Sequence, residues 1–257
     1  MTRPILVMPM HDPAGALFAH LQRILPQLRE LCAGAFIGVT AATAAAQPGW
    51  TVWLAADDFF RAAVHAPGLP VGDQFRELYA AAATAYPPDA VLHLCFVDRL
   101  AFALQTEHRQ GFVADFAAAT AERTPLLFQR SAQAWATHPA IYRELEGLLT
   151  TAGRLLFGQA LDFAWCHLVA RAGQLREIMP RVRNPDLSML AEMALLLRGT
   201  LRTQEVDWLA WEDPFIEARP ADALKRERET SRSELRKRLG YVIPSLQLLW
   251  AAEVNSQ

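Results

Sequence analysis

The sequence predicts an α/β fold with a mostly parallel central sheet flanked by helices, and three observations carry that expectation. The chain opens strand, helix, strand at the length a right-handed parallel crossover needs. Two later runs, Val91–Val97 and Pro125–Phe128, are apolar almost without alternation, as strands covered on both faces are. Helical stripes separate these runs, so strands and helices take turns along the chain.

Ile5-Leu6-Val7-Met8 is the first strand, closed by Pro9. After Gly15, the residues Leu17, Leu21, Ile24, Leu25, Leu28 and Leu31 recur at helical spacing and predict a helix from Ala16 to Cys32. Pro26 lies inside it and predicts a kink or a break, because it removes a backbone donor. Gly34 stops the helix, and Ala35–Val39 forms the second strand. Thr51-Val52-Trp53-Leu54 is a third apolar run, followed by a loop around Pro67, Gly68 and Pro70. Asp73 to Tyr86 reads as a helix with Phe75, Leu78, Tyr79 and Ala82 on one face.

Pro87-Pro88 breaks that helix ahead of the Val91–Val97 run, which ends at Asp98-Arg99. A helix from about Gln110 to Glu122 leads to the Pro125–Phe128 strand, which ends at Gln129-Arg130-Ser131. Tyr142–Phe157 is helical and closed by Gly158. Phe163–Val169 fits either a strand or the start of a helix to Met179, since a short apolar run does not decide by periodicity. Pro185-Asp186 starts an apolar helix to Arg198, with Asp186 as its N-terminal cap. Val206–Trp211 is the last strand candidate, and Ala221–Leu239 is a charged helix of mixed sign, which reads as solvated.

At 257 residues, with 52% hydrophobic and 20% charged, the chain has ample apolar surface for one core. We read a single domain over 1–257, in parts of about 1–100 and about 101–220 followed by a charged C-terminal helix over about 221–257. A net charge of -2 excludes a long-range field that would draw nucleic acid or an anionic membrane. The N-terminal apolar run is too short for a signal peptide, and no stretch is long enough for a membrane span. The expectation is a cytoplasmic protein without membrane insertion. Cys32, Cys95 and Cys166 are scattered among apolar neighbours and read as reduced packing residues.

In open, mostly parallel sheets, ligands bind beyond the carboxyl ends of the strands, so polar residues that directly follow apolar runs are the ones to weigh. Those places are His11-Asp12, Thr40 to Thr43, Asp98-Arg99, Gln129-Arg130-Ser131 and Glu212-Asp213. A carboxylate such as Asp98 at a strand end can hold a hard cation, and a neighbouring guanidinium can pair with phosphate. The alternative is that Asp98 caps a following helix and Arg99 is a surface charge.

The order of these elements resembles the GT-A family of nucleotide-sugar glycosyltransferases. There, a strand-helix-strand nucleotide-binding half leads to a strand ending in an acidic metal motif. Val97-Asp98-Arg99 is a partial match, with one carboxylate where the family often has two. Pro185–Met193 followed by Glu205–Pro214 is similar to the family's acceptor-side helix and the strand after it. The resemblance implies transfer of a sugar from a nucleoside diphosphate sugar to an unknown acceptor, assisted by a divalent cation, Mg²⁺ or Mn²⁺, at Asp98 and Asp213. It places His11, Asp12 and Thr40 near the nucleotide and Arg99 or Arg130 on the departing diphosphate, and it gives Asp186 or Glu192 the acceptor contact or the role of base. The reading from another class is a non-catalytic scaffold or regulatory protein on the same sheet with a degenerate metal site. Another nucleotide-dependent enzyme on a related sheet is a third.

Other polar residues read as structural. His93 lies inside an apolar run, His138 precedes Pro139 at a helix start, and His167 has no second ligand at helical spacing. Trp208 and Trp211 can stack on a sugar or a base, with core packing as the alternative. Asp57-Asp58 resembles a metal pair but equally fits a helix cap. There is no Gly-rich phosphate loop and no Gly-x-Ser-x-Gly elbow, which argues against a nucleotide hydrolase, a dehydrogenase and an α/β-hydrolase.

Overall fold

The computed structural model describes residues 3–121 and 124–254. Its elements run β1 (Ile5–Met10), α1 (Ala16–Leu31), β2 (Gly34–Val39), α2 (Ala41–Ala46), α3 (Pro48–Ala56), β3 (Phe60–Val64), α4 (Val71–Ala85), β4 (Val91–Leu94), α5 (Val97–Gln105), α6 (Arg109–Ala121) and β5 (Leu126–Arg130). There follow α7 (Ala132–Thr137), α8 (Ala140–Phe157), β6 (His167–Arg171), α9 (Ala172–Ile178), α10 (Met189–Leu197), β7 (Arg202–Val206), α11 (Asp213–Ile216), α12 (Ala221–Thr230) and α13 (Arg232–Val254).

The strands form one 7-stranded sheet in the order β3-β2-β1-β4-β6-β5-β7. β6 runs antiparallel to both its neighbours, β4 and β5, and every other pairing is parallel. Six carboxyl ends and the amino end of β6 therefore share one edge of the sheet. Side chains alternate across it: Ile5 and Val7 of β1 enter one apolar layer, while Leu6, Met8 and Met10 enter the other. The first layer is covered by α4, α8, α9, α10 and α13, and the second by α1, α3, α5 and α6. The five inner strands are thus buried on both faces, as their unalternating runs require, while the edge strands β3 and β7 are largely exposed.

Several boundaries differ from the sequence reading. The helix α1 passes through Pro26 unbroken; Pro26 and Gln22 both lie on the exposed face, where the carbonyl freed by the proline can meet water. Thr51–Leu54 belongs to the helix α3, which Pro48 starts at its first position and which turns Trp50 and Leu54 inward. The strand on that side is Phe60–Val64 instead. Asp57 ends α3, pairing with Arg29 and accepting the Phe59 amide at 3.0 Å, so Asp57-Asp58 caps no helix N-terminus.

The strand β4 stops at Leu94, ahead of Asp98, which sits in the first turn of α5. Phe163–Val169 resolves into a loop and the start of β6, with α9 as a separate helix. Asp186 precedes α10 and accepts the Ser188 amide at 2.7 Å, while the helix itself begins at Met189. Val206–Trp211 is not a strand: β7 is Arg202–Val206, followed by a 3₁₀ turn at Asp207–Leu209. As an edge strand, β7 carries polar side chains and lacks an apolar signature. The charged C-terminal stretch is two helices, α12 and α13, parted at Ser231. Glu122, expected to end a helix, and residues 255–257 lie outside the described residues.

Candidate functional site

A cavity of about 690 Å³ opens at the carboxyl edge of the sheet. It is reached from the ends of β1 and β2 through His11 and Thr40, from the turn after β4 through Phe96–Arg99, and from the end of β5 through Arg130. The segment Phe163–Cys166 ahead of β6 and the pair Glu212-Asp213 after β7 complete that side. The helices α8, α12 and α13 supply the remaining wall, with Tyr142, Glu146, Arg228, Glu234, Lys237, Arg238 and Tyr241.

His11 is exposed on this rim, its Nδ1 3.1 Å from Thr40 Oγ1. Thr40 also caps α2, accepting the Thr43 amide at 3.2 Å. Asp12 is placed otherwise than expected. Its two carboxylate oxygens accept the Ala16 and Phe18 amides at 3.0 and 3.1 Å, so it satisfies the start of α1, and it is not on the cavity lining.

Asp98 does line the cavity. Its Oδ1 accepts the Arg99 amide at 2.8 Å, and burial pushes its pKa upward against the attraction of Arg99. Asp98 thus stands in the first turn of α5 and lines the cleft; Phe96 is the N-cap residue, and Arg99 is not the surface charge of the alternative reading. Arg99 pairs with Glu212 and donates to the Ala210 carbonyl at 3.3 Å. Glu212 is 4% exposed, and burial pushes its carboxyl up to about 8 despite Arg99.

Arg130 differs from the expectation of a free phosphate-binding guanidinium. It grips Asp162 through two bonds of 2.7 Å, bonds Glu146 at 2.6 Å, and lies 3.6 Å over the Trp135 ring. Glu146 in turn accepts Arg238 at 2.6 Å and the Tyr241 hydroxyl. Burial disfavours the charge on Glu146, but Arg130 and Arg238 outweigh it and hold the carboxyl at about 2. This buried network ties β5, α8 and α13 into one wall.

Asp186 and Glu192 are absent from the lining. Glu192 accepts the amides of Arg183 and Asn184 at 2.9 and 3.0 Å and the Asn184 side chain at 2.8 Å, so it fastens the loop ahead of α10. It is the neighbouring Leu187 and Leu190 that reach the cavity.

The metal expectation also meets a different arrangement. A divalent cation takes several converging oxygen ligands. Among the described residues no group of three or more His, Cys, Asp or Glu is placed to hold one. Arg99 faces Asp98 and Glu212, and Arg228 stands 3.5 Å from Asp213. As arranged, Asp98 and Asp213 do not fit a bound cation; guanidinium groups occupy the ground that the cation would need.

Of the remaining candidates, His93 and His167 are fully buried and bonded to each other at 2.9 Å, within an aromatic box that includes Phe128 and Trp208. His138 is buried with Nδ1 3.0 Å from the Ala134 carbonyl, and burial drives its pKa down to about 2. Trp208 donates to Asp115 at 2.9 Å, and neither it nor Trp211 lines the cavity. All three cysteines are free; Cys32 and Cys95 are buried, whereas Cys166 is half-buried on the cavity wall. The residues that sequence reasoning missed are those of α8 and α13. Glu234, Lys237, Arg238 and Tyr241 follow helical spacing i, i+3, i+4, i+7, which signals one shared face but not what that face meets.

No family model matches the chain, and no curated protein matches it in sequence. Among solved structures the chain is similar to 4-diphosphocytidyl-2C-methyl-D-erythritol synthase from Anaerococcus prevotii, with a TM-score of 0.50 and 7% identity over 88% of this chain and 96% of that one. It is also similar to glucosyl-3-phosphoglycerate synthase from Mycobacterium tuberculosis. The complex of that protein with phosphoglyceric acid gives a TM-score of 0.48 at 14% identity, and the complex with Mn²⁺, uridine diphosphate and glucosyl-3-phosphoglycerate gives 0.45 at 11%. Each covers 93% of this chain and 80% of that one. The likeness is one of fold: an α/β molecule on a mostly parallel mixed sheet.

Proposed function

We propose that the chain is a transferase that takes a sugar from a nucleoside diphosphate sugar and passes it to an acceptor bound in the same cavity. The observation that carries this reading is the convergence of His11, Thr40, Asp98 and Arg99, from three neighbouring strand ends, on one cleft at the carboxyl edge. The cleft is large enough for a nucleotide and part of a second substrate, since sites for small ligands run from about 300 to 1,000 Å³. The fold likeness is compatible with the same reading.

In this account His11 and Thr40 hold the nucleoside end by hydrogen bonds. Arg99 lies where the diphosphate would leave, and its charge stabilises the phosphate oxygens as the glycosidic bond breaks. Glu212 fixes that guanidinium in place. The protein's share is positioning and electrostatic preorganisation, and no step is assigned to a metal ion.

Calorimetric titration with UDP and GDP, each in EDTA and in Mn²⁺, tests the proposal. Saturable binding of at least one nucleotide, weakened in His11→Ala, is the expected result. Failure of both nucleotides to bind under either condition would remove the reading.

A further inference from the structure

We propose that the wall built by α12 and α13 binds an anionic group, a phosphate or a carboxylate, carried by the acceptor. The assignment of that anion to an acceptor rests on the transferase reading of the cavity; the binding of an anion there does not.

Lys237 shares one helical face with Glu234, Arg238 and Tyr241, and all four line the cavity. The arginines of the lining have carboxylate partners: Arg99 has Glu212, Arg130 and Arg238 have Glu146, and Arg228 has Glu234 at 3.4 Å. Lys237 makes no ion pair or hydrogen bond with any described residue, so its ammonium is the cation of this wall that a ligand can neutralise. On the same lining, Arg228 and Arg238 each keep a buried Nε–H without an acceptor. Both arginines line the same cavity as Lys237. Three cationic side chains on the lining of one cavity, one of them an unpaired ammonium, suit an oxyanion better than a neutral sugar hydroxyl.

Inorganic phosphate and acetate are the probes, titrated by calorimetry into the wild-type chain, into Lys237→Gln and into Lys225→Gln, with and without saturating UDP. Phosphate or acetate should bind the wild type and Lys225→Gln alike, and bind Lys237→Gln at least ~10-fold more weakly, as expected for loss of a charge-assisted contact. The tighter of the two probes identifies the acceptor's group. Bound anion should also protect Lys237 from amine acetylation without protecting Lys225; the sequence contains no other lysine, so the footprint is unambiguous. If neither anion binds, or if Lys237→Gln binds as well as the wild type, the proposal is overturned. It is equally overturned if UDP competes with the anion, because the wall would then serve the donor's diphosphate. Anion binding through Lys237 in a chain that binds no nucleotide would keep the anion site and remove the transferase reading instead.

Discussion

At the scale of single residues, buried charge and buried histidine make the sharpest statements. Arg130 is enclosed between Asp162 and Glu146, so Arg130→Met strands the buried Asp162 carboxylate and leaves Glu146 to Arg238 and Tyr241. Breaking such a pair from one side costs about 3–5 kcal/mol, and urea denaturation should show a loss of that order. The His93–His167 pair adds a pH dependence. Burial lowers both pKa values, to about 3 for His93 and well below the ordinary 6.5 for His167, so in the folded chain both rings stay unprotonated just below pH 6.5, where the unfolded chain takes up protons. Stability from this pair is therefore complete above about 6.5 and is lost as pH falls, by up to about 1.4 kcal/mol per pH unit for each ring. Glu146 adds its own acid sensitivity only below its ordinary value of 4.5, toward 2. His93→Leu/His167→Leu should lie within about 1 kcal/mol of wild type at pH 7.5 and exceed it at pH 5, because both partners of the hydrogen bond leave together. Equal acid sensitivity in the double variant would contradict this. The sequence shows that these histidines sit in apolar runs, but their pairing depends on β4 and β6 lying side by side, a long-range contact that no local pattern reports.

At the scale of elements, the proline in α1 offers a clean test. Pro26 is exposed and the helix continues past it, so Pro26→Ala restores a backbone hydrogen bond without disturbing packing. Helix propensity favours alanine by about 3 kcal/mol, and the looser unfolded chain returns up to about 1, so a gain near 2 kcal/mol in urea unfolding is expected. No gain would mean that the helix is already kinked to suit the proline. Elements whose apolar residues face two layers, such as β1, β2, β4 and β5, are legible because burial leaves an unalternating run. Edge strands are not. The strand β7 is mostly polar, so the reading moved to the apolar stretch behind it, which is a turn packed by Trp208. The break at Ser231 was written in Ser231-Arg232-Ser233-Glu234, where the serine hydroxyl accepts the Glu234 amide at 3.3 Å, but the surrounding charge pattern masked it.

For the whole molecule, the sheet places the ends of distant segments on one edge, and that placement is what the functional account needs. Of the polar residues behind apolar runs, His11, Thr40, Asp98, Arg99, Arg130, Glu212 and Asp213 line the cavity. Asp12, a strand-end candidate, and Asp186 and Glu192, which the family resemblance places at the acceptor, instead serve nearby backbone amides, a competition that spacing alone does not reveal. The wall from α8 and α13 was invisible because a charged helix reads as solvated until its partner is known. Arginines stand around Asp98 and Asp213, so Mn²⁺ in place of EDTA should change UDP affinity by less than about 3-fold. A larger dependence would show that the arginines yield their carboxylates to a cation.

The most direct measurement is a crystal structure of the chain soaked with UDP and Mn²⁺. The account predicts the diphosphate beside Arg99, with the nucleoside against His11 and Thr40 at the ends of β1 and β2. A nucleotide bound away from that edge, or a crystal whose cleft stays empty at nucleotide concentrations that saturate in solution, would contradict it.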